Sequence, residues 1–233
     1  MEENQTAAGN SQWDDRSDSY IWSQNIGQEL LAFKDAHLRP DIDKLLATLK
    51  SVLQHGDVSE NLKSSSVDKA HMKLAAAKAI VHLAKCWEQK IPLDIFELTL
   101  QASQSEFPQA RRGLLSKIHH YIKDRLLDAR YACAFAFGAG KLQASELKEE
   151  KQNLMDIIQM QYQLKSRQQS VHSDVNSSTA YPEGILPHLI HALAHHSCPE
   201  VDECKDIQAF ETIYRQLYYF LSTLIHGDDD GKG

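Results

Sequence analysis

Much that commonly announces a function is missing from this chain of 233 residues. It has only four cysteines, Cys86, Cys133, Cys198 and Cys204. That is too few for a disulfide scaffold, and two of them fall inside helical patterns, as suits a reducing compartment. No run approaches eighteen apolar residues, and the acidic start, MEEN, is unlike a signal peptide. These absences predict a soluble protein of the cytosol or nucleus. Basic excess is missing too: the formal charge is −7 and the sequence pI about 5.9. Bulk binding of phosphate or DNA is therefore not expected as the main task, although a local basic stripe can still exist. No P-loop, G-x-S-x-G, H-E-x-x-H or glycine-rich dinucleotide signature occurs, so no enzyme is expected. Cys133 lies in YACAFAF, whose apolar flanks predict a buried, inert thiol.

What is present is apolar residues at helical spacing, which make up enough of the chain (42% hydrophobic) to bury a core. Residues 1–20 are acidic and aperiodic and read as a disordered head in which Trp13 stands out as a possible docking residue. A first helix is expected near 23–36. A second carries Ile42, Leu45, Leu46, Leu49, Val52 and Leu53 and ends at Gly56. Next comes VDKAHMKLAAAKAIVHLAKCW, in which Val67, Ala70, Leu74, Ala77, Val81 and Ala84 form one apolar side. His71, Lys78, His82 and Lys85 form its wet side. Its small alanines invite close approach by neighbouring helices. Further helices are expected from Pro92, from Pro108, over YACAFAF, over 143–169, over 185–196 and over 206–226. The last is given the stripe Ile207, Phe210, Tyr214, Leu217, Leu221 and Leu224. Residues 227–233 form an acidic, glycine-containing tail. With no useful strand pattern, the fold class is all-α.

Consecutive helices with short connections predict a HEAT-like solenoid, a right-handed stack of antiparallel helix pairs over 21–226. Asp124 and Arg130 have the six-residue separation of the acidic and basic positions in such repeats. Three long runs carry a resemblance beyond the repeat. They are SSVDKAHMKLAAAKAIVHLAKCWEQKIPLDIFELTLQ, FPQARRGLLSKIHHYIKDRLLDARYACAFAF and YPEGILPHLIHALAHHSCPEVDECKDIQAFETIYRQL. They resemble the plant form of the precocious-dissociation-of-sisters (number five) family of cohesin regulators. The resemblance covers about residues 45–230 and implies a nuclear HEAT-repeat protein associated with cohesin. It further implies a scaffold that tunes loading, maintenance and release of the ring around sister chromatids, with roles in mitotic cell division and DNA repair. Implied partners are the cohesin complex, its kleisin subunit in particular, and other cohesin regulators, with chromatin contacted indirectly and no membrane. Members of that family are much longer, so the chain resembles an internal or truncated slice. Nothing here resembles the family's downstream histone-reading module, and GAGKLQASELKEE diverges from its surroundings. The alternative from fold alone is a generic helical-repeat adaptor or transport-receptor fragment.

Two sets of residues invite a site. Residues 107–130 hold Arg111, Arg112, Lys117, Lys123, Arg125 and Arg130 against Asp124 and Asp128, a local excess of 6 − 2 = +4. Arg111, Arg112, Lys117, Lys123 and Arg125 form a candidate basic ridge for an acidic partner segment, a phosphate-rich ligand or the DNA backbone. Set against it is an ordinary solvated face whose cations pair with nearby carboxylates. If the ridge binds, charge reversal at Arg111, Arg112 and Lys123 weakens binding without unfolding. The second set is His195, His196, Cys198 and Cys204, with Asp202 nearby. It has no C-x2-C pair, and adjacent helical histidines point in different directions, so no metal is expected there. His188, His191 and His195 share one helix side and read as a polar edge. No cofactor is expected.

Overall fold

In the computed structural model the described residues are Trp13, 42–57, 64–170, 182–196 and 210–229. The head apart from Trp13, the expected helix at 23–36, residues 230–233 of the final tail, and Cys198, Asp202, Cys204 and Ile207 lie outside them. Every regular element among them is helical, and most begin or end on a recognisable local signal. Helix α1, Ile42–His55, stops at Gly56, whose φ of +76° lets its N–H donate back to the Val52 carbonyl at 2.8 Å. Helix α2, Ser66–Trp87, starts on Ser65. The Ser65 hydroxyl accepts from the Asp68 N–H at 3.1 Å and donates to the Asp68 carboxylate at 2.7 Å, a reciprocal cap. Pro92 leads into α3, Leu93–Gln101, and Pro108 opens α4, Pro108–Lys123. Helix α5, Cys133–Ala139, is short. Helices α6, Ala144–Ser170, α7, Ile185–His196, and α8, Glu211–Asp229, complete the chain. No helix among the described residues is long and apolar enough to cross a membrane.

The packing order is that of a helical repeat. Each helix contacts the one two places further on: α1 with α3, α2 with α4, α3 with α5, α4 with α6, α5 with α7, and α6 with α8. Odd-numbered helices thus form one layer and even-numbered helices the other, and α1 with α2, α2 with α3, α4 with α5, α5 with α6 and α7 with α8 pair across the gap. The expected all-α helical-repeat class is the observed one.

The centre is α5 rather than the alanine-rich α2. Tyr131 to Phe137 are all completely buried, and α5 touches α3, α4, α6, α7 and α8. Gln216 of α8 donates its side-chain N–H to the Phe137 carbonyl at 3.0 Å, satisfying a carbonyl near the end of this hub. That bond explains why the stripe expected on α8 is rotated. Its buried residues are Gln216, Tyr219, Phe220, Thr223 and Leu224, while Tyr214 is 63% exposed.

The wet side expected on α2 also needs correction. Neighbours on several sides bury Met72, Ala75, Ala76, Ala79, Ile80 and Leu83 as well as much of the expected stripe. His71 is only 2% exposed. It is covered by Trp13, whose ring stacks on it at 3.9 Å and also stands 5.8 Å from Phe107. Trp13 therefore packs against this chain's own α2. Asp124 and Arg130 do not share a helix. Asp124 caps α4 and pairs with His120, whereas Arg130 lies in a 3-10 turn and bonds Glu88 at 2.6 Å. Their separation in sequence is not a repeat signature here.

Candidate functional site

Helix α4 lies between α2 and α6 in the even layer, and its cations divide between the two neighbours. Arg111 is on the α6 side and is only 3% exposed. Its guanidinium donates to the carbonyls of Ser105 and Glu106 at 2.8 and 3.2 Å and to the Glu146 carboxylate at 2.9 Å. Glu146 also accepts the Gln143 N–H at the start of α6, at 3.1 Å. The hydrogen bond from Gln143 and then the Arg111 guanidinium hold the Glu146 carboxyl below its usual range. Arg111 thus belongs to the interior. Its expected place on a partner-binding ridge is overturned, because a buried guanidinium with these bonds offers no donor to a partner.

Arg112 is exposed, and its charge is felt by Glu146 and Glu150 at the start of α6. Lys123 stands 3.9 Å from Asp156, and His119 is 3.7 Å from the same carboxylate. Burial, helped by Lys123, lowers the His119 pKa from its ordinary value, so this imidazole is mostly neutral at pH 7. The α6 side of the ridge is hence a matched set of charges. Arg125 sits beyond the end of α4 with φ of +58°, exposed in the turn.

Lys117 points the other way. It is half-buried, and its ammonium lies 5.3 Å from the centre of the Tyr121 ring, one helical turn on. Lys85 of α2 reaches the same ring at 4.2 Å. The Tyr121 hydroxyl is 3.4 Å from His82 Nδ1. Each cation–π contact contributes about 0.5–1 kcal/mol at such a half-open site. Burial lowers the Lys117 pKa from its ordinary value. Among the described residues no carboxylate pairs with Lys85 or Lys117, unlike the α6 side. On the same α2–α4 contact, a Cβ added at Gly113 would come 3.2 Å from the Lys78 ammonium. Lys85, His82 and Tyr121 are not part of the ridge expected from sequence, and Lys85 lies 32 positions before Lys117 (117 − 85).

Elsewhere, Cys133 is fully buried, as expected, and burial pushes its thiol pKa far up. An open cleft of about 350 Å³ lies where α2, the end of α3 and the start of α4 meet, lined in part by Lys69, Lys73 and Phe107. The histidines of α7 separate: His188 faces the edge of Phe96, while His191 and His195 stack on each other at 4.0 Å. Glu97, on α3, completes a group with His191 and His195 in which one ligand-type atom from each lies within 4.8 Å of the others. Helix spacing alone could not bring in Glu97, which is 94 positions from His191.

The layered packing defines a helical-repeat protein with a basic–aromatic cluster where α2 meets α4. Residues 25–229 match the family model described as sister chromatid cohesion protein PDS5. The chain is 50% identical over 224 residues to sister chromatid cohesion protein PDS5 homolog A of Arabidopsis thaliana, covering 94% of this chain and 14% of that protein. It is 26% identical over 207 residues to PDS5 homolog B of both Gallus gallus and Homo sapiens, covering 87% of this chain and 14% of each relative. The chain belongs to the PDS5 family of sister chromatid cohesion proteins. It spans about a seventh of the length of these relatives.

Proposed function

We propose that this chain is a non-enzymatic docking segment of the cohesion machinery, acting in the nucleus on the cohesin complex. Its surface engages an acidic stretch of the kleisin subunit or of another cohesin regulator. In this way it contributes to maintenance and release of the ring, in mitotic division and in DNA repair. The observation that carries the reading, beyond family membership, is the α2–α4 cluster. There Lys85 and Lys117 flank the exposed side of Tyr121 without partner carboxylates among the described residues. Cations held over an aromatic ring present charge and apolar surface together, which suits an acidic segment carrying apolar side chains. Direct DNA binding is a poorer match, since the chain's net charge is −7.

Cross-linking mass spectrometry with intact cohesin tests this directly. Cross-links from Lys85 and Lys117 to one cohesin subunit are expected. The paired reversal Lys85→Glu/Lys117→Glu should weaken binding by roughly tenfold at low ionic strength, with the difference shrinking as salt rises. No cohesin in affinity purifications from dividing cells would leave a generic helical-repeat adaptor as the better reading.

A further inference from the structure

The odd-numbered layer holds a cluster that family membership does not account for. Side chains of α7 reach α3 beside the short α5. Three contacts mark the approach: Phe96 against His188, the His191–Glu97 bond and the packing of both helices on α5. Glu97 is only 5% exposed, a carboxylate inside the packing of α3. His191 Nδ1–H donates to Glu97 Oε1 at 2.8 Å. His195, one turn further along α7, donates its Nδ1–H to the His191 carbonyl at 2.9 Å. The two rings lie nearly parallel, 4.0 Å apart at an angle of 18°.

We propose that Glu97, His191 and His195 bind a single zinc ion, with solvent completing its coordination. Three observations converge. Histidines at i and i+4 present both rings on one helix face, a spacing that two ligands on a helix require. His195 Nδ1–H is held by the His191 carbonyl, which sets that tautomer and leaves its Nε2 lone pair available, as imidazole ligands are oriented in zinc sites. His191 Nδ1 and Glu97 Oε1 already share a proton at 2.8 Å, and the ion displaces that proton to bind both atoms. The donor set of two imidazoles and one carboxylate suits a borderline ion such as zinc and does not suit calcium or magnesium, which take oxygen ligands. Ligand-type atoms already within 4.8 Å of one another need only side-chain rotation to close around the ion. Both histidine side chains are exposed enough to make that movement. His188 does not take part, because it is turned onto Phe96. The bound ion ties α7 to α3 across α5 and leaves a coordination position facing solvent.

Isothermal titration of the chain with zinc chloride in chelator-free buffer tests the site, with thermal unfolding followed in parallel. One equivalent per chain is expected, with a rise in Tm. Glu97→Gln should weaken binding roughly tenfold or more, and His191→Ala/His195→Ala should remove both the heat and the Tm rise. Zinc held equally well by the double histidine variant overturns the proposal. So does binding that is lost in Cys198→Ser/Cys204→Ser but kept in the histidine variants, since it assigns the ion to the cysteines. A titration with no heat and no Tm change also overturns it. His55→Ala, a change at an exposed histidine on α1, should leave binding as it is.

Discussion

The two flanks of α4 both carry cations and differ in what faces them. Toward α6, Arg111, Arg112 and Lys123, with the neutral His119, look onto Glu146, Glu150 and Asp156. Toward α2, Lys117 and Lys85 look onto the Tyr121 ring. The first flank is cohesion within the fold, since its charges are satisfied by the next helix of the same layer. The second keeps its charge for something else. A basic run in a helix thus does not define one surface; its neighbours divide it.

The comparison can be broken most sharply at Arg111. Arg111→Ala removes a buried ion pair and two bonds to carbonyls, and should cost about 3 kcal/mol or more in chemical denaturation. Reversing its charge, as a surface ridge would have allowed, should instead prevent stable folding. A smaller effect is expected from Tyr121→Ala, about 1–2 kcal/mol, because the half-buried ring loses its contacts with both lysines. Acid should act selectively on the α6 flank. The Glu146 carboxyl is depressed in the folded chain, so its contribution is complete above the ordinary carboxylate range and is lost as pH falls through the folded value. Urea midpoints measured below pH 5 should fall more steeply for the wild type than for Glu146→Gln. Of similar size or smaller, Lys85→Glu/Lys117→Glu should cost about 1–2 kcal/mol, the worth of the two cation–π contacts it removes. A large loss there would make the α2 flank as structural as the α6 flank and remove the contrast.

Much of the architecture was legible in the sequence. Pro92, Pro108 and Gly56 mark the helix limits where they were expected, and 185–196 is observed as Ile185–His196. Such signals are local: each concerns backbone groups within a turn of the residue that satisfies them. The stripe on α8 was misread because a glutamine faces inward there, bonded to the Phe137 carbonyl 79 positions away. Apolar counting cannot foresee a polar residue buried for its hydrogen bond. His71 was placed in water for a related reason, since its cover, Trp13, comes from a distant part of the chain. The ridge was half legible: its charges were visible, their partners were not.

The amino-acid sequence by itself determined an all-α chain, the extents of most helices and the family to which they belong, because caps, 3.6-residue periodicity and long shared runs are properties of adjacent residues. Tertiary structure decided that α5 is the hub, that Arg111 is interior, that Lys85 joins Lys117 over Tyr121, and that Glu97 meets His191 and His195. Each of these depends on which helix face meets which neighbour two places along the stack. That choice is made by the summed packing of the layers, and no single segment encodes it.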